Sequence, residues 1–152
     1  MPGTALGSLR LLLDTNVVVA GLLWNGPPRR LIERAIEDET IELFSSSALL
    51  DELAHTLEYA KFAIRIRTFG TDIATLTAQY ATIISLVMPT AVPRVVAGDP
   101  DDDHVIAAAV AARVELIVSG DLKHLLPIGS HQGIAIISVR EAIRRIEARG
   151  LD

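Results

Sequence analysis

Leu11-Leu12-Leu13-Asp14-Thr15-Asn16-Val17 is the stretch whose reading decides the fold. Three consecutive aliphatic residues, with Leu9 and Arg10 ahead of them, present no regular polar face. Such a run suits a strand covered on both sides, as strands of parallel sheets are. The run stops on a carboxylate, and in open α/β sheets ligands bind just outside the carboxyl ends of the strands. One short segment therefore points both to a layered α/β domain and to the place in it where chemistry is expected.

Outward from this strand, at residues 10–13, the chain alternates between strand-like and helix-like patterns. A helix over 17–24 is broken by Asn25-Gly26-Pro27-Pro28. A polar-faced helix over 29–39 carries Leu31, Ile32, Ala35 and Ile36, and a second strand follows at 41–44. Ser46 or Ser47 caps a helix reaching about residue 59, with Leu49, Leu50, Leu53, Ala54 and Leu57 as its apolar stripe. Residues 60–85 read as two helices parted near Phe69-Gly70, the second capped by Thr71 or Asp72. A third strand at 86–88 leads into a Pro- and Asp-rich loop over 89–102. A helix of small residues spans 103–113, strands occupy 114–118 and 134–137, and an amphipathic helix over 139–149 ends the series. This order predicts a three-layer α/β/α domain around a central, mostly parallel sheet of about five strands. It spans 9–149 as a single domain behind a flexible terminus at 1–8.

Composition narrows the function. The 152 residues carry 14 Lys+Arg and 19 Asp+Glu, a net charge of −5, with half the residues apolar. A mean hydropathy of +0.39 excludes a disordered tail. No apolar run approaches the roughly 18–20 residues of a bilayer span, and residues 1–8 lack a signal-peptide pattern, so a cytoplasmic protein without membrane contact is expected. Cysteine is absent, which removes disulfide scaffolds, thiolate zinc sites and cysteine nucleophiles together. The acidic balance argues against an indiscriminate nucleic-acid coat, but not against an enzyme that holds nucleic acid through a metal. Neither a P-loop, nor a GxGxxG turn, nor a GxSxG elbow occurs.

The acids suggest such an enzyme. Asp14 closes the first strand, and Ile117-Val118-Ser119-Gly120-Asp121 closes the fourth. Asp99-Pro100-Asp101-Asp102-Asp103 opens the small-residue helix, and Glu52 interrupts the stripe of an earlier one. Two carboxylates about 4 Å apart repel by about 4 kcal/mol at an effective dielectric of about 20, so several in one pocket protonate or push apart unless a cation compensates. All-oxygen sites suit Mg²⁺ or Mn²⁺, which support phosphodiester hydrolysis. In that reading Asp14, Asp103 and Asp121 hold the metal directly or through water, with Asp101 a further candidate ligand. Glu52 is a ligand or positions the attacking water. Thr15, Asn16 and Ser119 bond these carboxylates or the scissile phosphate, and Lys123 and His124 stand beside Asp121 where substrate would lie. Individually each acid has a plainer reading. Those at 99–103 suit turns and helix starts, Asp121 suits a cap for a short turn over 122–126, and Glu52 suits a helix surface. It is their order that points to a site.

Other features are weaker. Lys61, Arg65 and Arg67 form a basic patch able to meet RNA phosphates, though a solvated helix surface explains it as well. His55, His104 and His131 lack metal-ligand spacing, and Trp24 suits a core or interface anchor. Three Phe, two Tyr and one Trp supply few platforms for base stacking.

In this order and context, the segments at 11–17, 47–53, 99–109 and 117–121 resemble the PIN-domain nucleases, over about residues 9–146. The resemblance implies a PIN-like fold and Mg²⁺- or Mn²⁺-dependent endoribonuclease activity. It places the family's acidic quartet on Asp14, Glu52, Asp103 and Asp121, with Asp103 preferred to Asp101 or Asp102 because it precedes Val105-Ile106-Ala107-Ala108. Small stand-alone members resemble toxins of VapBC-type pairs, which implies RNA as substrate, a homodimer and a cognate antitoxin. A catalytically weak adaptor or RNA-binding module on the same fold is the alternative. A phosphatase acting through an aspartyl-phosphate on Asp14 is disfavoured, because Asn16 stands where the second acid of that pattern belongs.

Overall fold

The computed structural model describes residues 8–90 and 100–149, with Pro100 and Asp101 described by their backbone alone. The chain runs β1 (Leu9–Leu13), α1 (Thr15–Leu23), α2 (Pro27–Glu37), β2 (Ile41–Ser46), α3 (Ser47–Leu57), α4 (Ala60–Thr68), α5 (Ile73–Ile83), β3 (Ile84–Val87), α6 (Pro100–Ala112), β4 (Leu116–Val118), β5 (Ser130–His131), β6 (Ile134–Ile137) and α7 (Val139–Arg149). The sheet order is β3-β2-β1-β4-β6-β5, with every pairing parallel except β5–β6. None of the helices in the described residues is long and apolar enough to cross a membrane.

The aliphatic run of β1 is covered on both faces, as its sequence requires. Leu11 and Leu13 point into one core with Leu43, Val118, Leu53 and Ile146. Leu12 points into the other, with Ile117, Ile106, Ala108 and Ala109. The alanines of α6 let that helix lie close on its face of the sheet. Arg10, the one charge on β1, reaches the end of α6, where its Nη2 donates to the Ala112 carbonyl at 2.6 Å and its guanidinium lies 4.6 Å from the Phe44 ring centroid. Gly21 allows the close approach of α1 and α2, because a Cβ there would stand 2.5 Å from Ile32 Cδ1 and 3.2 Å from the Pro28 carbonyl oxygen.

Several boundaries differ from the expectation, each for a local reason. The helix expected at 29–39 begins at Pro27, because proline is well tolerated in a first turn. The helix expected from 103 begins at Pro100 for the same reason, which places the three acids 101–103 in its first turn. Of the loop expected over 89–102, residues 91–99 lie outside the described residues. The third strand is Ile84–Val87 rather than 86–88, since Leu43 of β2 pairs with Ile84 and no breaker separates α5 from it. The sheet has six strands rather than about five. The additional one, β5, is two residues long and pairs antiparallel with β6 through Gln132 and Gly133. Both turn residues have positive φ, 49° and 81°, as a two-residue turn between antiparallel strands favours. Residues 1–7 of the terminus expected to be flexible lie outside the described residues.

Candidate metal centre

Strand order places the site. The chain leaves β1 towards β2 on one side and later returns to β4 on the other, so the crevice between β1 and β4 is a topological switch point. Leu13 pairs with Val118, and the Asp14 amide donates to the Val118 carbonyl at 3.0 Å. The residues following these two strands are thereby neighbours, although 105 positions separate Asp14 from Ser119.

Asp14 is buried and caps α1: its Oδ1 accepts the amides of Asn16 at 2.9 Å and Val17 at 3.3 Å. Its Oδ2 accepts the Ser119 hydroxyl. Ser119 is wholly buried, and its Oγ also accepts the Asp121 amide at 2.9 Å. One hydroxyl thus ties the two strand-end acids together. Asp121 Oδ1 accepts the amides of Lys123 and His124, both at 2.9 Å. Its Oδ2 lies 3.4 Å from His124 Nδ1, which is itself 3.7 Å from Oδ2 of the buried Asp102.

The two strand-end acids titrate in opposite directions. Burial pushes the Asp14 carboxyl up, against the lowering effect of Ser119 and the two cap amides, and the charge of Asp121 pushes it further. Burial also raises Asp121, but the Asp102 carboxyl, the His124 and Lys123 amides and the His124 ring outweigh it, and the net shift is down. The Asp102 and Asp121 carboxyl groups, in hydrogen-bonding contact beside His124, form a donor set that a divalent cation fits, and Asp14 is tied to the Asp121 backbone through Ser119. Asp102, Asp121 and His124 each offer a ligand atom, and the three atoms lie within 4.8 Å of one another.

A family model described as PIN domain matches residues 10–123. The chain belongs to the PIN domain family. Its fold is also similar to that of a chain in the crystal structure of VapBC2 from Rickettsia felis bound to a DNA fragment from their promoter. That match has a TM-score of 0.58 at 13% identity and covers 86% of this chain and 98% of the other. A search of curated proteins found no match.

Within this PIN domain the expected site residues are placed as follows. Asp14, Ser119 and Asp121 are linked directly by hydrogen bonds. Thr15 is buried at the first position of α1, while Asn16 is exposed beside it. Asp102 and Asp103 are both buried in the first turn of α6, and it is Asp102 that meets Asp121. The side chain of Asp101 lies outside the described residues. Glu52 is half-buried on α3, a helix packed against both α1 and α6. Lys123 is exposed one residue before His124. The basic patch is divided: Arg65 Nε donates to the Leu23 carbonyl at 2.7 Å and closes α1, whereas Lys61 and Arg67 are exposed. Trp24 is 40% exposed, its ring edge-on to Phe62 at 5.8 Å.

The sequence pattern favours Asp103 as the third acid and sets His124 beside the substrate; the structure brings Asp102 and His124 against Asp121 and buries Asp103 in the same turn. The signal for His124 was its position three residues after Asp121 in a turn that Asp121 itself caps.

Proposed function

We propose that the protein is a metal-dependent endoribonuclease and the toxin of a toxin–antitoxin pair. The observation that carries this reading is the link from Asp14 through Ser119 to Asp121 and on to Asp102, at the switch point of a PIN domain. PIN domains are generally nucleases. Asp14, Asp121 and Asp102 hold the ion, with Glu52, Asp103 and Asp101 as further ligands or anchors of its water. Bound there, Mg²⁺ or Mn²⁺ would supply a nucleophilic water at neutral pH and neutralise charge developing on the phosphate. Hydrolysis joins the water oxygen to phosphorus and breaks one P–O bond of the backbone. Ser119 holds Asp14 and Asp121 at a fixed separation. Thr15, Asn16 and Lys123 line the substrate side, where the Lys123 ammonium faces an anionic backbone.

The toxin reading draws on the likeness to a VapBC2 chain and extends to a cognate antitoxin, a homodimer and a cytoplasmic location. The full chain should be incubated with single-stranded and structured RNA in Mn²⁺ or in EDTA, beside Asp14→Asn and Asp121→Asn. Cleavage is expected only for wild type with Mn²⁺. Cleavage undiminished in EDTA, or in both variants, overturns the nuclease reading and favours the adaptor module.

A further inference from the structure

We propose that His124 is a nitrogen ligand to the metal, and that it sets the site's preference for Mn²⁺ and later first-row ions over Mg²⁺. The inference rests on the metal-dependent reading above and names a residue that an all-carboxylate site lacks. The imidazole Nδ1 stands 3.4 Å from Asp121 Oδ2 and 3.7 Å from Asp102 Oδ2. These separations exceed the roughly 2.7–3.2 Å of ordinary N–H···O bonds. They lie close to the spacing two donors keep on one cation, because two bonds of about 2.1 Å meeting at 90–120° leave their donors about 3.0–3.6 Å apart.

The local chain arranges this. Asp121 Oδ1 is engaged by the amides of Lys123 and His124, so Oδ2 is the oxygen turned to the imidazole. The same two bonds curl the backbone until position 124 stands over position 121. The first turn of α6 brings in Asp102 from the other side. His124 is half-buried, which keeps its ring beside the acids while leaving the cluster open to solvent. Electrostatics favour a neutral donor at this point. Asp14, Asp102 and Asp121 already crowd negative charge, and a further carboxylate would add repulsion where imidazole adds a lone pair. Imidazole adds affinity for first-row ions in the order that begins at Mn²⁺ and rises towards Cu²⁺, whereas Mg²⁺, a hard ion, gains least from nitrogen.

The test uses the full chain and Mn²⁺ alone. Electron spin-echo envelope modulation of bound Mn²⁺ reads a coordinated ¹⁴N directly and requires no turnover. The wild-type spectrum is expected to show nitrogen coupling, retained in His104→Gln and lost in His124→Gln. Calorimetric titration should show His124→Gln binding Mn²⁺ about tenfold more weakly, the lower end of what outer-shell losses produce, with Mg²⁺ affinity essentially unchanged. Mn²⁺ bound without nitrogen coupling overturns the inference and leaves the carboxylate site standing, with His124 a counter-ion to Asp102 and Asp121. Equal weakening of Mn²⁺ and Mg²⁺ also overturns it. A wild-type chain that binds no Mn²⁺ overturns this inference together with the reading on which it rests.

Discussion

Asp14 and Asp72 perform the same local task in opposite surroundings. Each is an extended residue just before a helix, and each accepts amides of the first turn: Asp14 from Asn16 and Val17 of α1, Asp72 from Thr75 of α5 at 2.7 Å. Asp72 is exposed, and its bonds to Thr75 draw its carboxyl below the usual range. Asp14 is buried at 4% exposure, and that burial pushes its carboxyl up despite the same kind of bonds. Capping does not require burial, as Asp72 demonstrates. Placing an acid beneath the sheet edge beside Asp121 is unfavourable for the metal-free fold, and helix capping leaves that placement unexplained. The proposed cation would supply the reason.

The largest expected effect follows from separating these two tasks. Asn caps helices about as well as Asp, so Asp14→Asn should fold with α1 intact. Its RNA cleavage should fall by on the order of 100-fold or more, the size that removing one charge-stabilising group from an active site produces. The same variant should lose most of the rise in Tm that Mn²⁺ gives wild type, measured by thermal melting across a Mn²⁺ series. Asp72→Asn should change neither quantity.

Ser119→Ala comes next. It removes the hydroxyl that joins Asp14 to Asp121 without touching a carboxylate. Mn²⁺ affinity should fall about 10–100-fold by calorimetry, as for other groups that orient metal ligands. A smaller change would mean that the two acids are held apart correctly by the backbone alone.

Arg65→Ala probes the far end of α1. It deletes a half-buried bond to the Leu23 carbonyl and the guanidinium stacked 4.3 Å from the Phe69 ring centroid. A loss of about 1 kcal/mol in denaturant unfolding is expected, at the lower end for a charged hydrogen bond because the group is partly solvated. Specific RNA cleavage should be unchanged. A drop in cleavage at unaltered stability would restore Arg65 to the RNA-contacting role.

The smallest effect concerns pH. The Thr75 bonds hold the Asp72 carboxyl below its ordinary 3.8, so its contribution to stability is present above that pH and is lost as pH falls through the lowered folded value. The Tm difference between wild type and Asp72→Asn should be small at pH 7 and should shrink as pH falls below 3.8. A difference that does not shrink on acidification would show that the cap acts through the neutral acid.

The strand-end acids were legible because their signal is local. An aliphatic run ending on Asp14, and another ending on Ser119-Gly120-Asp121, need only the rule that parallel strands align their carboxyl ends. The choice among Asp101, Asp102 and Asp103 needed the phase of α6. Successive residues on a helix point about 100° apart, so neighbouring acids in the first turn of α6 face different ways, and a linear pattern does not say which of them meets Asp121. Arg65 was misjudged for another reason: its partner, Leu23, lies 42 positions away, and no helix-face argument reaches that far. Strand β5 carries no pattern at all, because two residues cannot show a period. Its turn shows itself in the structure, with positive φ at Gln132 and Gly133.

The hydroxyl between Asp14 and Asp121 also ties function to the order of synthesis. The first strand leaves the ribosome early, yet its acid has only the cap amides of α1 for partners until residues 118–121 have emerged and β4 has docked against β1. A chain interrupted before that point carries the first acid without the second, however well α1 to α5 have packed. For a protein whose proposed activity destroys RNA, the proposed cutting edge thus comes together only late in synthesis.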